Sequence, residues 1–598
     1  MKPEVRALLL AGGLLVLVKA LVLASVLTPA PHTGGDNAAY LSLGYALTQG
    51  LGYVELWEPL VPPHTKYPPA FPLLLAGLMA VGVTTWTALK AGMAVLLSGA
   101  IILVFAWVGA RRGAMAGLGV ALLVLLSGGW LDASRWILSE PLFLALTFIS
   151  LWAADRGGLV VAPGLLGTPG TGSGLREEGA SRGRADSPEA GLPPHAGWVV
   201  AAAAAALLAL LTRSAGLPLV LALGGILLLS RRTLGLALFG GAAVVAGVGW
   251  AFRARQGGEG AYQSEFWMVN PYEPELGTIG VMDLPFRIWE NLGIYLGTVL
   301  PGEWWPASGA LLAAFGLLLA GMALAGWVLR ILRGEVGTAE LFLPLYTGLI
   351  LLWPPVWSGD RFALPLYPLV LFYAGEALTA GMGRFRGKER TGDWSRLLGL
   401  GAGTVAFLLL AVPALPGWIS TAEDAAACRA VADEDVFRCH PPAVAEFREA
   451  ARWAGTHLPE DAVVLNRKPR IFYLLGGSQG RIFPFSRDPA VLLEEADALG
   501  ARYLLLGFPD GVTLSYLPAV VEGRPGAFCV VEAWGEGTTL LGILPPGERE
   551  GTQVTRCPPD YRLDPSQPPL HGPGDPQRDG RHVPLLLQRP STLPRDLP

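Results

Sequence analysis

Gly34-Gly35-Asp36-Asn37-Ala38-Ala39-Tyr40 and, later in the same stretch, Lys66-Tyr67-Pro68-Pro69-Ala70-Phe71-Pro72 decide how this chain is read. They bracket the polar loop between a first long apolar run near 7 to 28 and the next near 87 to 110. One loop thus carries a carboxylate, a cation and a proline-rich apolar elbow at the edge of a hydrocarbon-soluble segment. Reactive groups gathered at such a boundary point to chemistry on a lipid-borne substrate.

The loop is followed by further apolar runs. With 52% hydrophobic and 15% charged residues and a mean hydropathy of +0.45, the chain has the composition of a membrane protein. A crossing helix needs about 20 mostly apolar residues. Eleven spans are read near 7 to 28, 87 to 110, 113 to 130, 139 to 154, 197 to 211, 215 to 230, 233 to 252, 307 to 329, 338 to 356, 362 to 382 and 397 to 418. The run 68 to 83 opens with prolines that remove amide donors, which favours a surface or partly embedded helix over a crossing. Basic residues set the orientation, because cytoplasmic loops are enriched in them. Lys2, Arg6, Arg111, Arg112, Arg231, Arg232, Arg330, Arg333 and the group from Arg384 to Arg396 share one side if eleven spans are drawn. The expected protein is a multi-pass plasma-membrane (inner-membrane) protein, with its N-terminus in the cytoplasm and its C-terminus outside. The first run is too long for a signal-peptide core, and Thr28-Pro29-Ala30 is a poor cleavage site, so it is kept as an anchor. Lys19 within it reads as a lysine snorkelling to the interface.

The predicted organisation is a membrane region at 1 to 418, with a first exported loop at 29 to 86 and a second at 253 to 306. Residues 155 to 196, rich in Gly, Pro, Ser, Arg and Glu, read as a disordered cytoplasmic linker. Residues 419 to 558 read as a small extracytoplasmic α/β domain, with a helical pattern at 443 to 457 and strand-like runs at 462 to 465 and 503 to 506. No binding signature stands out among its residues. The Pro-rich tail from 559 to 598 reads as disordered. All four cysteines fall beyond 419, and an even number there fits an oxidising compartment. A Cys428–Cys439 bridge is expected over a metal site, since the spacing matches no zinc pattern and only His440 adjoins a cysteine. The second loop carries Tyr262, Phe266, Trp267, Tyr272, Trp289, Tyr295, Trp304 and Trp305, read as an interfacial belt around a loop that covers the cavity.

Ionisable residues near apolar runs are costly and mark function. Asp36, Lys66, Asp132, Arg135, Glu140, Arg213, Asp360 and Arg361 fall at the outward ends of spans and form a candidate ring around one cavity. Each has a plainer role open to it. Asp36 or Asn37 can cap the helix over 38 to 47, Asp132 and Arg135 can pair at i, i+3, and Glu140 can complement a helix dipole. Lys66 can face lipid headgroups, and Glu55 and Glu58 are alternative bases in the same loop.

The acidic first loop with Asp36 and Tyr40, the Lys66-Tyr67-Pro68-Pro69 elbow and the Asp132 to Pro141 segment together resemble the GT-C glycosyltransferases. Within these, the likeness is to the dolichyl-phosphate-mannose-protein mannosyltransferase-like branch, glycosyltransferase family 39 with its ArnT-like members. It covers roughly residues 1 to 420. The resemblance implies a GT-C architecture and an inverting sugar transfer on the outer face of the membrane. The donor is a polyprenyl-phosphate-linked sugar and the acceptor a protein, lipid or envelope glycan. It assigns Asp36 as the catalytic acidic residue, Lys66 to the lipid phosphate, and Asp132 or Glu140 to a second-loop acidic position. The chemistry of phosphate adds Arg135, Arg213 and Arg361 as donor-phosphate ligands. One acid followed by neutral Asn37 is a poor magnesium or manganese site, so a metal-independent monophosphate donor is expected. A net charge of -4 suggests no nucleic-acid partner. A polyprenyl-lipid or solute transporter and a noncatalytic scaffold with an exported binding domain are the competing readings.

Overall fold

The computed structural model describes residues 3–161, 195–255, 261–305, 309–385, 393–432, 435–508, 510–535 and 537–563. Most of the expected linker and most of the tail lie outside them, as do Arg386, Lys388 and Arg390.

Among the described helices, five are long and apolar enough to cross a membrane: Arg6–Val26, Trp86–Arg112, Thr233–Arg253, Ala310–Leu332 and Gly401–Ala432. A sixth crossing results if Ala114–Leu125 and Gly128–Arg135, bent by 66° at their junction, are taken as one. The remaining expected spans coincide with helices Glu140–Arg156, Ala196–Thr212, Leu217–Leu229, Thr338–Leu351 and Leu366–Phe385. The proline elbow forms the 11-residue helix Ala70–Ala80. At about 1.5 Å per residue it is too short to cross a core of about 30 Å. It packs on helix Gly35–Thr48, where a Cβ at Gly44 would meet the Leu75 Cβ at 3.1 Å.

Small residues set the closest helix contacts, as expected where apolar burial gives no drive between helices in lipid. A Cβ at Gly326 would stand 1.8 Å from the Tyr373 carbonyl oxygen, and one at Gly316 would stand 1.9 Å from that of Leu296. Helix Ala310–Leu332 is thereby pressed against Leu366–Phe385 and the π-helical turn Tyr295–Val299. Lys19 is a correction to the snorkelling expectation. It is buried, and its ammonium points to the Ser98 carbonyl at 3.5 Å, because the neighbouring helix offers an acceptor within reach. Trp304 is likewise a core residue and not part of a belt, with its indole donating to the Leu123 carbonyl at 2.9 Å.

One end of the bundle is tied by charge. Arg111 donates to Asp155 at 2.7 Å and to Glu340 at 3.0 Å, while Arg330 donates to Glu340 at 2.8 Å. Helix Glu140–Arg156 runs from the opposite end, where the first loop and the C-terminal sheet meet.

That sheet has six strands: β1 Val463–Leu465, β2 Gln479–Arg481, β3 Tyr503–Leu506, β4 Phe528–Trp534, β5 Thr538–Ile543 and β6 Thr555–Arg556. Their spatial order is β2-β1-β3-β5-β4-β6, with β1 parallel to both β2 and β3, and β5 antiparallel to β3 and β4. Alternation along the strands serves two cores. Val464, Tyr503 and Leu505 join the helices Pro442–His457 and Pro469–Gly476, while Val463, Leu465 and Leu504 face Pro489–Leu499. The last bundle helix, Asp393–Ala432, continues past the expected boundary at 418. Disulfides Cys428–Cys439 and Cys529–Cys557 tie its end to the turn Val436–Cys439 and strand β4 to the segment after β6. The Cys428–Cys439 expectation is met.

Candidate functional site

Asp36 lies in the first turn of Gly35–Thr48. The N-cap is Gly34, which makes no side-chain bond, so the carboxylate of Asp36 is not spent on capping. Its Oδ1 accepts from the Tyr67 hydroxyl at 2.6 Å. Its Oδ2 faces both terminal nitrogens of Arg361 at 3.4 Å. A second guanidinium, Arg470, approaches Oδ1 at 3.8 Å and donates to the Tyr67 hydroxyl at 2.9 Å. The Asp36 side chain is 38% exposed, so solvent reaches it beside these partners. Burial alone would raise its pKa. Arg361, Arg470, the Tyr67 hydroxyl and Lys66 outweigh that and hold it at about 2.

Tyr67 is fixed from behind. Its amide donates to His64 Nε2 at 2.8 Å, so His64 carries its proton on Nδ1 and donates to Glu55 Oε1 at 2.7 Å, a tautomer assigned from these contacts. The two alternative bases have partners of their own, and both also lie near Arg470. Glu55 orients His64, and Glu58 stands 3.8 Å from Arg481. Burial and Glu55 push the Glu58 carboxyl up to about 7.

Glu140 opens its helix beside Arg361 and is buried beneath two arginines. Arg361 reaches its Oε1 at 2.7 Å, and Arg213 reaches the same oxygen at 2.5 Å while donating to the Ser139 hydroxyl at 3.1 Å. Ser139 is also bonded to the Tyr40 hydroxyl at 3.1 Å, linking this triad to the helix that carries Asp36. Glu140 thus spaces and aims two cations. Arg361 stays 36% exposed, its Nε and one terminal nitrogen on Glu140 and the longer contacts on Asp36.

The expected ring is only partly assembled. Asp36, Glu140, Arg213 and Arg361 are brought together. Lys66 donates to Glu265 of the second loop at 2.7 Å, which clasps the two loops together, and its charge still acts on Asp36. Asp132 and Arg135 pair with each other, the local i, i+3 alternative. Asp132 lies near Asp360, and Arg135 near Lys90. Asp360 accepts from the Arg361 amide at 2.8 Å and starts a short helical turn. Among the described residues no three His, Cys, Asp or Glu side chains are grouped to hold a metal ion. The neighbours of Asp36 are cations and a phenol, which do not fit a divalent metal.

Sequence reasoning missed Arg470, Tyr67 as a ligand of Asp36, and Glu265. Arg470 had a legible signal: the basic run Arg467-Lys468-Pro469-Arg470 follows directly on a strand. Its place beside Asp36 brings a residue of the C-terminal sheet region to the first loop.

No family model matches this chain, and no curated protein matches it. Among solved structures, ArnT from Cupriavidus metallidurans bound to undecaprenyl phosphate aligns with a TM-score of 0.50 at 14% identity, over 89% of this chain and 98% of that one. The oligosaccharyltransferase of Archaeoglobus fulgidus in its apo form aligns with a TM-score of 0.50 at 12% identity, over 88% of this chain and 74% of that one. At such identities the likeness is one of fold.

Proposed function

We propose that this chain, a multi-pass membrane protein with the GT-C fold, is a glycosyltransferase that moves a sugar from a polyprenyl-phosphate carrier to an acceptor hydroxyl. The observation that carries this reading is the meeting of an ionised, solvent-reached carboxylate, Asp36, with the half-exposed Arg361 and with Arg470 on one cavity wall. The neighbours' names point the same way, one structure holding undecaprenyl phosphate and the other being an oligosaccharyltransferase. Orientation follows the basic-residue pattern, with the cavity on the outer face of the plasma membrane.

In this mechanism the acceptor oxygen attacks the anomeric carbon, the carbon–oxygen bond to the carrier phosphate breaks with its electron pair leaving on phosphate, and the proton passes to Asp36. A positioned base contributes roughly 100-fold to 10,000-fold. A carboxylate held at about 2 is always ionised at neutral pH but weakly basic. The donor phosphate resolves this by competing for Arg361, whose contacts to Asp36 are its long ones, so Asp36 gains basicity as the substrate binds. Arg361, Arg213 and Lys66 then face the charge that develops on the leaving phosphate. Glu140 positions the two arginines, and no metal takes part. Asp132 and Arg135 are left out of the reacting groups.

The test is a proteoliposome assay in which the purified chain is offered undecaprenyl-phosphate-linked hexoses and pentoses with a membrane acceptor extract. Transfer from at least one donor, with Lys66→Ala raising the donor KM, supports the reading. Failure to transfer from every donor, or binding of undecaprenyl phosphate no tighter than of undecaprenol, overturns it.

A further inference from the structure

The C-terminal sheet has a topological switch at β1. From β1 the chain crosses by helix Pro469–Gly476 to β2 on one side, then returns by helix Pro489–Leu499 to β3 on the other. The two helices lie in different hydrophobic cores, on opposite faces of the sheet. In parallel sheets such a reversal opens a crevice beyond the carboxyl ends of the two strands, the usual place for a ligand. Here those ends are followed by Asn466–Arg470 and, among the described residues, by Gly507, Phe508 and Asp510.

The turn after β1 is tightly bonded and basic. Asn466 is fully buried, donates to the Val464 carbonyl at 3.0 Å and accepts from the Lys468 amide at 2.9 Å, fixing the turn. Arg467 crosses the gap to Asp510 at 2.8 Å. Phe508 holds a left-handed backbone, with φ of 56°, a conformation costly for an aromatic residue and concentrated at functional positions. Its ring lies 5.3 Å from the Lys468 ammonium. Among the described contacts Lys468 has this ring and no hydrogen-bond acceptor, while Arg467 and Arg470 are committed to Asp510 and to Asp36 with Tyr67. Burial, then Arg467 and Arg470, lowers the pKa of Lys468 against the opposing pull of Asp510 and Asp36. The same turn places Arg470 on Asp36, so the crevice opens on the candidate site.

We infer that the crevice beyond β1 and β3 is an oxyanion subsite, with Lys468 as the ligand of a phosphate group that enters the cavity of Asp36. This rests on the glycosyltransferase reading and extends it by making the C-terminal sheet a wall of the substrate site. The phosphate is that of the lipid carrier or that of a phosphorylated acceptor. In both cases a lysine acts as a mobile point charge beside the fixed arginine.

The experiment measures binding of undecaprenyl phosphate, undecaprenol and glycerol 1-phosphate to the full chain in detergent, for wild type, Lys468→Gln and Lys468→Arg. The expected result is at least a fivefold loss for Lys468→Gln toward undecaprenyl phosphate, glycerol 1-phosphate or both, with undecaprenol unchanged and Lys468→Arg near wild type. Loss toward the lipid identifies the carrier phosphate, and loss toward glycerol 1-phosphate alone identifies the acceptor. Unchanged binding of both phosphates in Lys468→Gln overturns the subsite while leaving the wider reading intact, provided wild type prefers undecaprenyl phosphate to undecaprenol. Absence of that preference in wild type overturns the wider reading, and the subsite with it. Equal loss in Lys468→Arg and Lys468→Gln also overturns the subsite, since charge would then not be what the crevice supplies.

Discussion

Replacing Arg470 with Gln removes one of the two guanidinium groups that face Asp36 without touching the bundle. Arg470 stands 3.8 Å from the carboxylate. A unit charge pair at that range interacts by about 4 kcal/mol at an effective dielectric of about 20 and by about 1 kcal/mol in bulk water. Asp36 is 38% exposed, so solvent screening places the interaction in the lower end of that range. A loss of about 1–2 kcal/mol corresponds to a rise of about one pKa unit. The sign is upward, because the removed cation favours the ionised form. Wild-type Asp36 titrates near pH 2, and in Arg470→Gln it titrates near 3 or somewhat above. The corresponding stability term, present above the unfolded value of about 3.9 and lost as pH falls toward 2, shrinks with it. Infrared difference spectra of carboxyl-labelled protein between about pH 1 and about pH 6, with Asp36→Asn subtracted, report this titration directly. An Asp36 band with the same midpoint in wild type and Arg470→Gln refutes the contact between the C-terminal sheet and the first loop.

Glu140→Gln leaves Arg213 and Arg361 without their buried counter-charge, and the unfolding free energy in detergent should fall by about 3–5 kcal/mol. A change below about 1 kcal/mol would show that the triad is not formed. Gly326→Ala must push a pair of helices apart, since the new Cβ would sit 1.8 Å from a carbonyl oxygen. It should lower stability by about 1–3 kcal/mol or more. By contrast Gly240→Ala, with open space around it, should be neutral or stabilising by up to about 1 kcal/mol. Equal melting temperatures for the two alanine variants would contradict the helix packing.

Much of the bundle was legible because lipid imposes long apolar runs, and the short surface helix Ala70–Ala80 followed from its prolines. Strands β1 and β3 and helix Pro442–His457 announced themselves by alternation and periodicity. In the site, Asp36 stood out by its place in the first exported loop and by the family resemblance, although a helix cap was also open to it, and Arg213 and Arg361 as cations at the outward ends of spans, where a phosphate would be met. For Asp132 and Arg135 local spacing left two roles open, and the i, i+3 ion pair it offered is the contact the fold forms. Partners distant in sequence were beyond reach. Arg470 meets Asp36 only through the docking of the sheet on the first loop, and Glu265 meets Lys66 only through the fold of the second loop.

The central claim is that Asp36 takes the proton of the acceptor. Its most direct test is the single-turnover rate of sugar transfer from a pre-bound undecaprenyl-phosphate donor in wild type and Asp36→Asn, with donor binding measured in parallel. The account predicts a fall of roughly 100-fold or more in rate, with donor binding unimpaired. Transfer by Asp36→Asn at the wild-type rate would contradict it.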